Sequence, residues 1–256
     1  MERRKLIQWR DLFVDLVARD LKMCYRRSVL GQLWAVLHPF AILIASLFVF
    51  RKVLNVRIQH YPLFLFCGIL PWSWFVATLS RAPRSVIDNR HLVRKPYFPA
   101  QVLPMVTALS ALAQYMLALP LLLLLLILFH APLGMALLLF PLILGIQFLL
   151  STGIAYLLAT ATVHFRDIQH AVSILLVVWF CLTPVFYDIA AIPDRFKIVY
   201  VLNPMTQLII AYRDILLYAH PPNLLTIGVL LMISLAIFIG GYNLFVRQRQ
   251  RFIEEC

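Results

Sequence analysis

Charge is what this sequence has least of. Asp, Glu, Lys and Arg make up 13% of its 256 residues and hydrophobic residues 62%, whereas charged residues form about a quarter of an ordinary soluble domain. Six stretches, 31–50, 61–79, 102–129, 133–162, 171–187 and 224–246, contain no charge at all. A soluble domain is thereby excluded, because a helix crossing a hydrocarbon core takes about 20 predominantly apolar residues. The net charge of +12 does not point to nucleic acid, because the cations are confined to short segments between the apolar runs.

Other absences exclude mechanisms. A charge at the centre of a bilayer costs roughly 3 kcal/mol or more and is kept where ions, protons or voltage are handled. None is present in these runs, nor is there an inverted repeat or a matched pair of broken helices, which argues against an ion-coupled carrier. No glycine is followed five residues later by Gly-Lys-Ser or Gly-Lys-Thr, so the chain carries no phosphate-cradling loop of its own. The four cysteines stand singly, without metal or redox spacing. The first thirty residues are charge-rich and lack the apolar core of a cleaved signal.

What is present is a membrane domain. The six runs predict an all-α membrane protein with six transmembrane helices, the third and fourth long enough to tilt, to kink at Pro120 and Pro141, or to stand clear of the bilayer. Seventeen Lys and Arg lie on the side of the two termini and six on the other, which places both termini in the cytoplasm. We divide the chain into an interface helix over 1–30, a six-span membrane domain over 31–246 and a cytoplasmic tail over 247–256.

Three connections carry recognisable patterns. Trp9, Leu12, Phe13, Leu16, Val17, Leu21 and Cys24 share one helical face, opposite Arg10, Asp11, Asp15, Arg19, Lys22 and Arg26. This describes an amphipathic helix in the headgroup plane, either a plain anchor on anionic lipid or a partner-contacting helix. Between Pro83 and Pro96 the spacing predicts a cytoplasmic helix of about three turns with Val86, Ile87 and Val93 near one side, or a basic loop serving topology alone. Between the fifth and sixth runs, 196–202 and 205–217 are too short to span and predict re-entrant or interfacial helices, whose ends need protein or water partners. His164, Asp167 and His170 could share a face, but no further ligand lies nearby, so a cytoplasmic turn is favoured over a metal site. A passive pore, a structural subunit, or a pathway powered by another polypeptide all fit this inventory.

Six motifs in order narrow the choice: YRRSVLGQLW (25–34), GILPWSWF (68–75), NRHLVRKPYFPAQVLP (89–104), FRDI (165–168), TPVFY (183–187) and NPMTQLIIAYR (203–213). Over nearly its full length the chain resembles the permease subunit of ABC exporters that move lipid-linked polysaccharides, the group handling O-antigen, teichoic acid and some capsules. Cys24 departs from the pattern, where an arginine is common. The resemblance implies a non-enzymatic subunit of the bacterial inner membrane. It also implies a homodimer flanking one channel, surrounding membrane lipids, two separate ATP-binding cassette subunits holding ATP and magnesium, no cofactor on this chain, and a lipid-linked glycan cargo.

For individual residues it implies ATPase contact by the N-terminal helix (Asp20, Tyr25, Arg26), by the second connection (Arg84, Asn89, Arg90, Lys95) and by the turn at Arg166 and Asp167. The short helices after Tyr187 would line the exit. Aromatic rings suit a sliding glycan, since the C–H face of a sugar packs on a ring while its hydroxyls stay wet. Trp34, Tyr61, Phe64, Trp72, Trp74 and Phe75, with Tyr187 and Tyr200 near the exit, are the candidates, although such residues gather at membrane interfaces whatever the cargo. A drug or lipid exporter on the same architecture, and an ATP-independent channel or scaffold, stay open.

Overall fold

Runs of Leu, Ile, Val and Phe with no side-chain hydrogen-bonding capacity satisfy their backbone inside helices, and helix is the only regular structure among the described residues. The computed structural model describes residues 2–24, 28, 30–53, 58, 60–95, 98–132, 134–165 and 167–248. The elements in order are α1 (Glu2–Cys24), α2 (Trp34–Ser46, widening into Leu47–Val53), α3 (Tyr61–Arg81) and α4 (Arg90–Val93), then α5 (Val102–Leu128) and α6 (Phe140–His164). They are followed by α7 (Ile168–Cys181), α8 (Asp194–Leu202), α9 (Pro204–Leu216) and α10 (Leu224–Arg247).

Five segments are long and apolar enough to cross a membrane: Trp34–Val53, Tyr61–Arg84, Val102–Leu128, Met135–His164 and Leu224–Arg247. The fifth run, 171–187, behaves differently. Its helix, α7, has 14 residues, about 21 Å at 1.5 Å per residue, against a hydrocarbon core of about 30 Å. It stops because Pro184 lacks an N–H and disfavours helical geometry at Thr183. Pro141 marks the first turn of α6 rather than a kink, while Pro120 lies inside α5.

The core sits around α3, in which every residue from Tyr61 to Trp72 is buried. Outward-facing side chains of the other long helices are apolar: Leu124, Ile127, Ile174 and Met232 are each more than half exposed. A surface of that kind is stable against acyl chains and not against water.

Helices α6 and α10 meet backbone to backbone at two glycines. A Cβ built on Gly153 would stand 2.7 Å from the Phe238 backbone, and one on Gly241 would stand 2.5 Å from the Gly153 carbonyl oxygen. Tyr156, one turn further along α6, packs edge-on against Phe238, Tyr242 and Phe245. Ala159 and Phe245 share the same cluster beyond it. Contacts therefore advance together along both helices, which run side by side in the same direction. Close approach through small residues is how apolar helices gain van der Waals contact where no hydrophobic force separates them from lipid.

After the fifth run the chain forms the two short helices α8 and α9, while the connection after the second run departs from the expected helix. Instead of three helical turns, 82–95 forms a tight turn, Ala82–Arg84, an irregular stretch, and the four-residue α4. The Asn89 side-chain amide donates to the Ser85 carbonyl at 2.9 Å, a local bond that competes with continued helix. Val86 and Val93 are nonetheless buried, packing with Ala100, Leu103, Tyr156 and Phe245. The N-terminal helix docks by its apolar face, with Leu16 on Val102 and Val106 of α5.

Candidate functional site

Two polar constellations stand at opposite ends of the bundle. On the α1 face, Asp20 accepts from Arg81 at 3.2 Å, Arg19 donates to the Asn89 side chain, and the Arg84 Nε donates to Gln169 at 2.6 Å. These contacts tie α1, the second connection and the first turn of α7 around a cavity of about 410 Å³. Two of the three guanidiniums thus bond a neutral amide, which leaves the cluster net cationic. Asp20, Arg84 and Asn89, singled out from the sequence, are brought together here. Arg90, Lys95 and Asp167 are exposed apart from them, and Tyr25, Arg26 and Arg166 lie outside the described residues. His164, Asp167 and His170 form no metal-binding group, and no other such group occurs among the described residues.

The Asp20–Arg81 side chains are about a third exposed, at 33% and 27%, so the pair contributes no more than about 1 kcal/mol. Asp20→Ala is therefore expected to loosen α1 without unfolding the bundle. Limited proteolysis within α1 should quicken several-fold while the thermal transition holds. Unchanged cleavage would mean that Leu16 and its apolar neighbours alone hold the helix.

At the opposite end, the chain leaves α7 at Cys181, and the six carbonyls from Cys181 to Phe186 have no helical partners. Each finds a donor. Tyr187 Oη donates to the Cys181 carbonyl at 3.0 Å, Asn203 Nδ2 to Leu182 at 3.1 Å, and the Val185 N–H to Thr183 at 2.7 Å. Arg213 Nη1 and Nη2 donate to Pro184 at 2.8 Å and Val185 at 2.7 Å, and Tyr61 Oη to Phe186 at 2.8 Å. The unwound segment is held by α3, α9 and its own Tyr187.

Asn203 uses its whole side chain there. Its Oδ1 accepts from the Met205 N–H, capping α9, and from the Trp179 indole, while Nδ2 also donates to Thr183 Oγ1. Arg213 is 4% exposed and stands 3.5 Å over the Phe64 ring, a favourable place for a desolvated cation. Burial pushes its guanidinium down to about 10, which leaves it cationic at neutral pH. Next to it, Tyr212 donates to Gln147 at 2.8 Å and Gln147 donates to the Pro71 carbonyl at 2.8 Å, locking α9 to α6 and α3.

The aromatic candidates separate by burial. Tyr61, Phe64, Trp72, Trp74 and Phe75 are each 7% exposed or less and pack on protein: Trp72 on Phe180, Trp74 on Tyr115, and Phe75 on Trp179. Trp34 is 46% exposed. Tyr187 and Tyr200 are partly exposed with their hydroxyls 3.0 Å apart. Sequence reading grouped Arg213 with the loop charges and passed over Asn203 and Gln147. The available signal was the pairing of a Thr-Pro helix stop with an Asn-Pro helix start, which implies loose carbonyls in need of donors.

Comparison with known proteins agrees with this architecture. Residues 11–217 match the family described as ABC-2 type transporter. The chain is 35% identical to the O-antigen export system permease protein RfbA of Myxococcus xanthus, over 98% of this chain and 97% of that protein. It is 28% identical to a Klebsiella pneumoniae protein of the same name, over 95% and 94% of the two chains, and 23% identical to the polysialic acid transport protein KpsM of Escherichia coli, over 88% and 89%. A family match across most of the chain, joined to end-to-end similarity and a bundle of long apolar helices, places this chain in the ABC-2 type transporter family as a membrane permease.

Proposed function

We propose that this chain is the transmembrane half of an ATP-driven exporter that passes a lipid-linked polysaccharide of O-antigen type across the bacterial inner membrane. The observation that carries the reading is the 35% identity, end to end, with an O-antigen export permease. The lower identity to a polysialic acid transport protein, 23%, ranks capsule second. In this reading the chain catalyses nothing itself, and ATP with magnesium is held by two copies of a separate subunit.

The parallel run of α6 and α10 supports six crossings, because the chain must return across the membrane between them and α7 with its unwound continuation is the segment available. Both termini and the α1 face are then cytoplasmic, as the Lys and Arg distribution requires, and the break after α7 opens at the outer side. Exposed Arg90, Lys95 and Asp167 form the contact with the ATPase. Asp20, Arg84 and Asn89 transmit its movement to α1 and α7, and α1 leads into α2. A second copy of the chain covers the apolar faces of α7 and α8, where Ile174, Val177, Ile198 and Leu202 are more than half exposed. The channel forms between the two copies. Trp34, Tyr187 and Tyr200 offer the cargo ring surface, while the buried aromatics of α3 are the wall behind them.

Purified with the ATP-binding subunit and reconstituted in vesicles, the chain is expected to move lipid-linked glycan only when ATP is supplied. Charge reversal at both Arg90 and Lys95 should lower permease-dependent ATP hydrolysis by about tenfold, equivalent to ~1.4 kcal/mol of coupling, with insertion unaffected. Wild-type hydrolysis in that variant would remove the docking assignment. Glycan movement by the chain alone would remove the exporter reading.

A further inference from the structure

We propose that Arg213 is the positioning residue of the outer opening, a cation tethered to α9 that keeps the segment after α7 unwound and sets where Phe186 stands; this deepens the exporter reading and rests on it. The guanidinium serves three carbonyls from two elements: Pro184 at 2.8 Å, Val185 at 2.7 Å and Phe64 at 3.4 Å. Among the described residues it forms no contact salt bridge with a carboxylate; backbone carbonyls and the Phe64 ring surround it directly, and the Asp188 carboxylate favours its charge from further away. In carriers with broken helices, unwound carbonyls coordinate a diffusible cation, which makes the break respond to ion supply. Here the cation is part of the chain, and the break is independent of ion gradients.

Space has been made for it. The facing position on α3 is Gly68, where a Cβ would meet Arg213 Nη2 at 3.1 Å and the Val185 side chain at 3.4 Å. The residue following the clamped pair, Phe186, stacks on Phe50 of the first span at 4.9 Å and 14° and meets Phe180 of α7 edge-on at 5.1 Å. Arg213 thus links α9 to the outer end of the span whose other end adjoins α1. The planar fork is essential, because a lysine ammonium is a point charge and does not reproduce two parallel N–H bonds to adjacent carbonyls.

The test uses the complete complex in vesicles, with the four native cysteines replaced by serine and the pair Phe50→Cys and Phe186→Cys introduced. With Arg213 present, oxidative cross-linking between positions 50 and 186 is expected to be rapid. Arg213→Lys and Arg213→Gln should assemble in normal amount yet cross-link at least fivefold more slowly, and, with Phe50 and Phe186 intact, export should fall about tenfold. In Arg213→Gly, millimolar methylguanidinium should restore cross-linking and tetramethylammonium should not. Unchanged cross-linking in Arg213→Gln overturns the proposal. So does loss of assembled complex in both Arg213→Lys and Arg213→Gly without recovery by methylguanidinium, which would mark the arginine as a general structural element. If the complex with arginine cross-links as expected but moves no glycan, the exporter reading fails and the positioning role stands.

Discussion

Gly241→Leu is expected to abolish recovery of folded protein, while Gly240→Leu, one position earlier, is expected to be tolerated. The contrast follows from the α6–α10 contact. At Gly241 a new Cβ would sit 2.5 Å from the Gly153 carbonyl oxygen, and the obstacle is backbone that cannot rotate away. At Gly240 nothing lies within 4 Å of the added carbon. Accommodating leucine at 241 would force the two helices apart by several ångströms and strip the contacts of Tyr156 with Phe238, Tyr242 and Phe245. Overpacking at a single buried site costs about 1–3 kcal/mol even where side chains can adjust, and here they cannot. Gly153→Leu should match Gly241→Leu, its Cβ meeting the Phe238 backbone at 2.7 Å, and Gly145→Leu should match Gly240→Leu. Size-exclusion chromatography of detergent-extracted protein, scored as the monodisperse fraction, reads the difference. Equal recovery of the 240 and 241 variants would show that the helices do not touch through these glycines.

Asn203→Leu carries the second largest expected effect. It leaves the Trp179 indole and the Met205 N–H without their acceptor and the Leu182 carbonyl without its donor, the Met205 bond being buried and the other two partly buried. Each buried group left unsatisfied costs about 1–3 kcal/mol, so a total of about 3 kcal/mol is expected, enough to lower the thermal transition by roughly ten degrees or to prevent assembly. Asn203→Asp separates the two halves of the side chain. It retains the acceptor for Trp179 and Met205 and removes the donors to Leu182 and Thr183, so it should fall between wild type and leucine. Thermal melting of all three in one detergent gives the ranking. An aspartate variant as unstable as leucine would place the whole effect on the end of α7 rather than on the cap of α9.

Much of the fold was legible because apolar runs are long and their limits are marked. The runs at 61–79, 102–129 and 224–246 end within two residues of α3, α5 and α10, and the Asn-Pro at 203–204 announces α9 through the capping geometry seen there. The second connection was less legible. Its prolines bracket a stretch that could hold three turns, and a single side-chain bond from Asn89 to Ser85 decides against continuous helix. The sites divide in the same way. Asp20, Arg84 and Asn89 were named through the family resemblance, and they converge. Arg213 was only counted among the six cations of the far side, because its burial depends on Gly68, Phe64 and two carbonyls far away in sequence.

By itself the sequence determined where the helices lie, since in hydrocarbon a backbone without internal hydrogen bonds is prohibitively costly and helix is the solution available to an uncharged run. It also determined the uneven distribution of the cations among the connections and the absence of a phosphate-binding loop. Only the tertiary structure decided that the aromatic residues of α3 form the interior of one copy rather than an open surface, and that the last long helix runs parallel to α6. The fate of the break after α7 was likewise a tertiary matter. A helix stop is local, written in Thr183 and Pro184, but keeping six carbonyls unwound takes donors from Tyr61, Asn203 and Arg213, and their meeting is a property of packing.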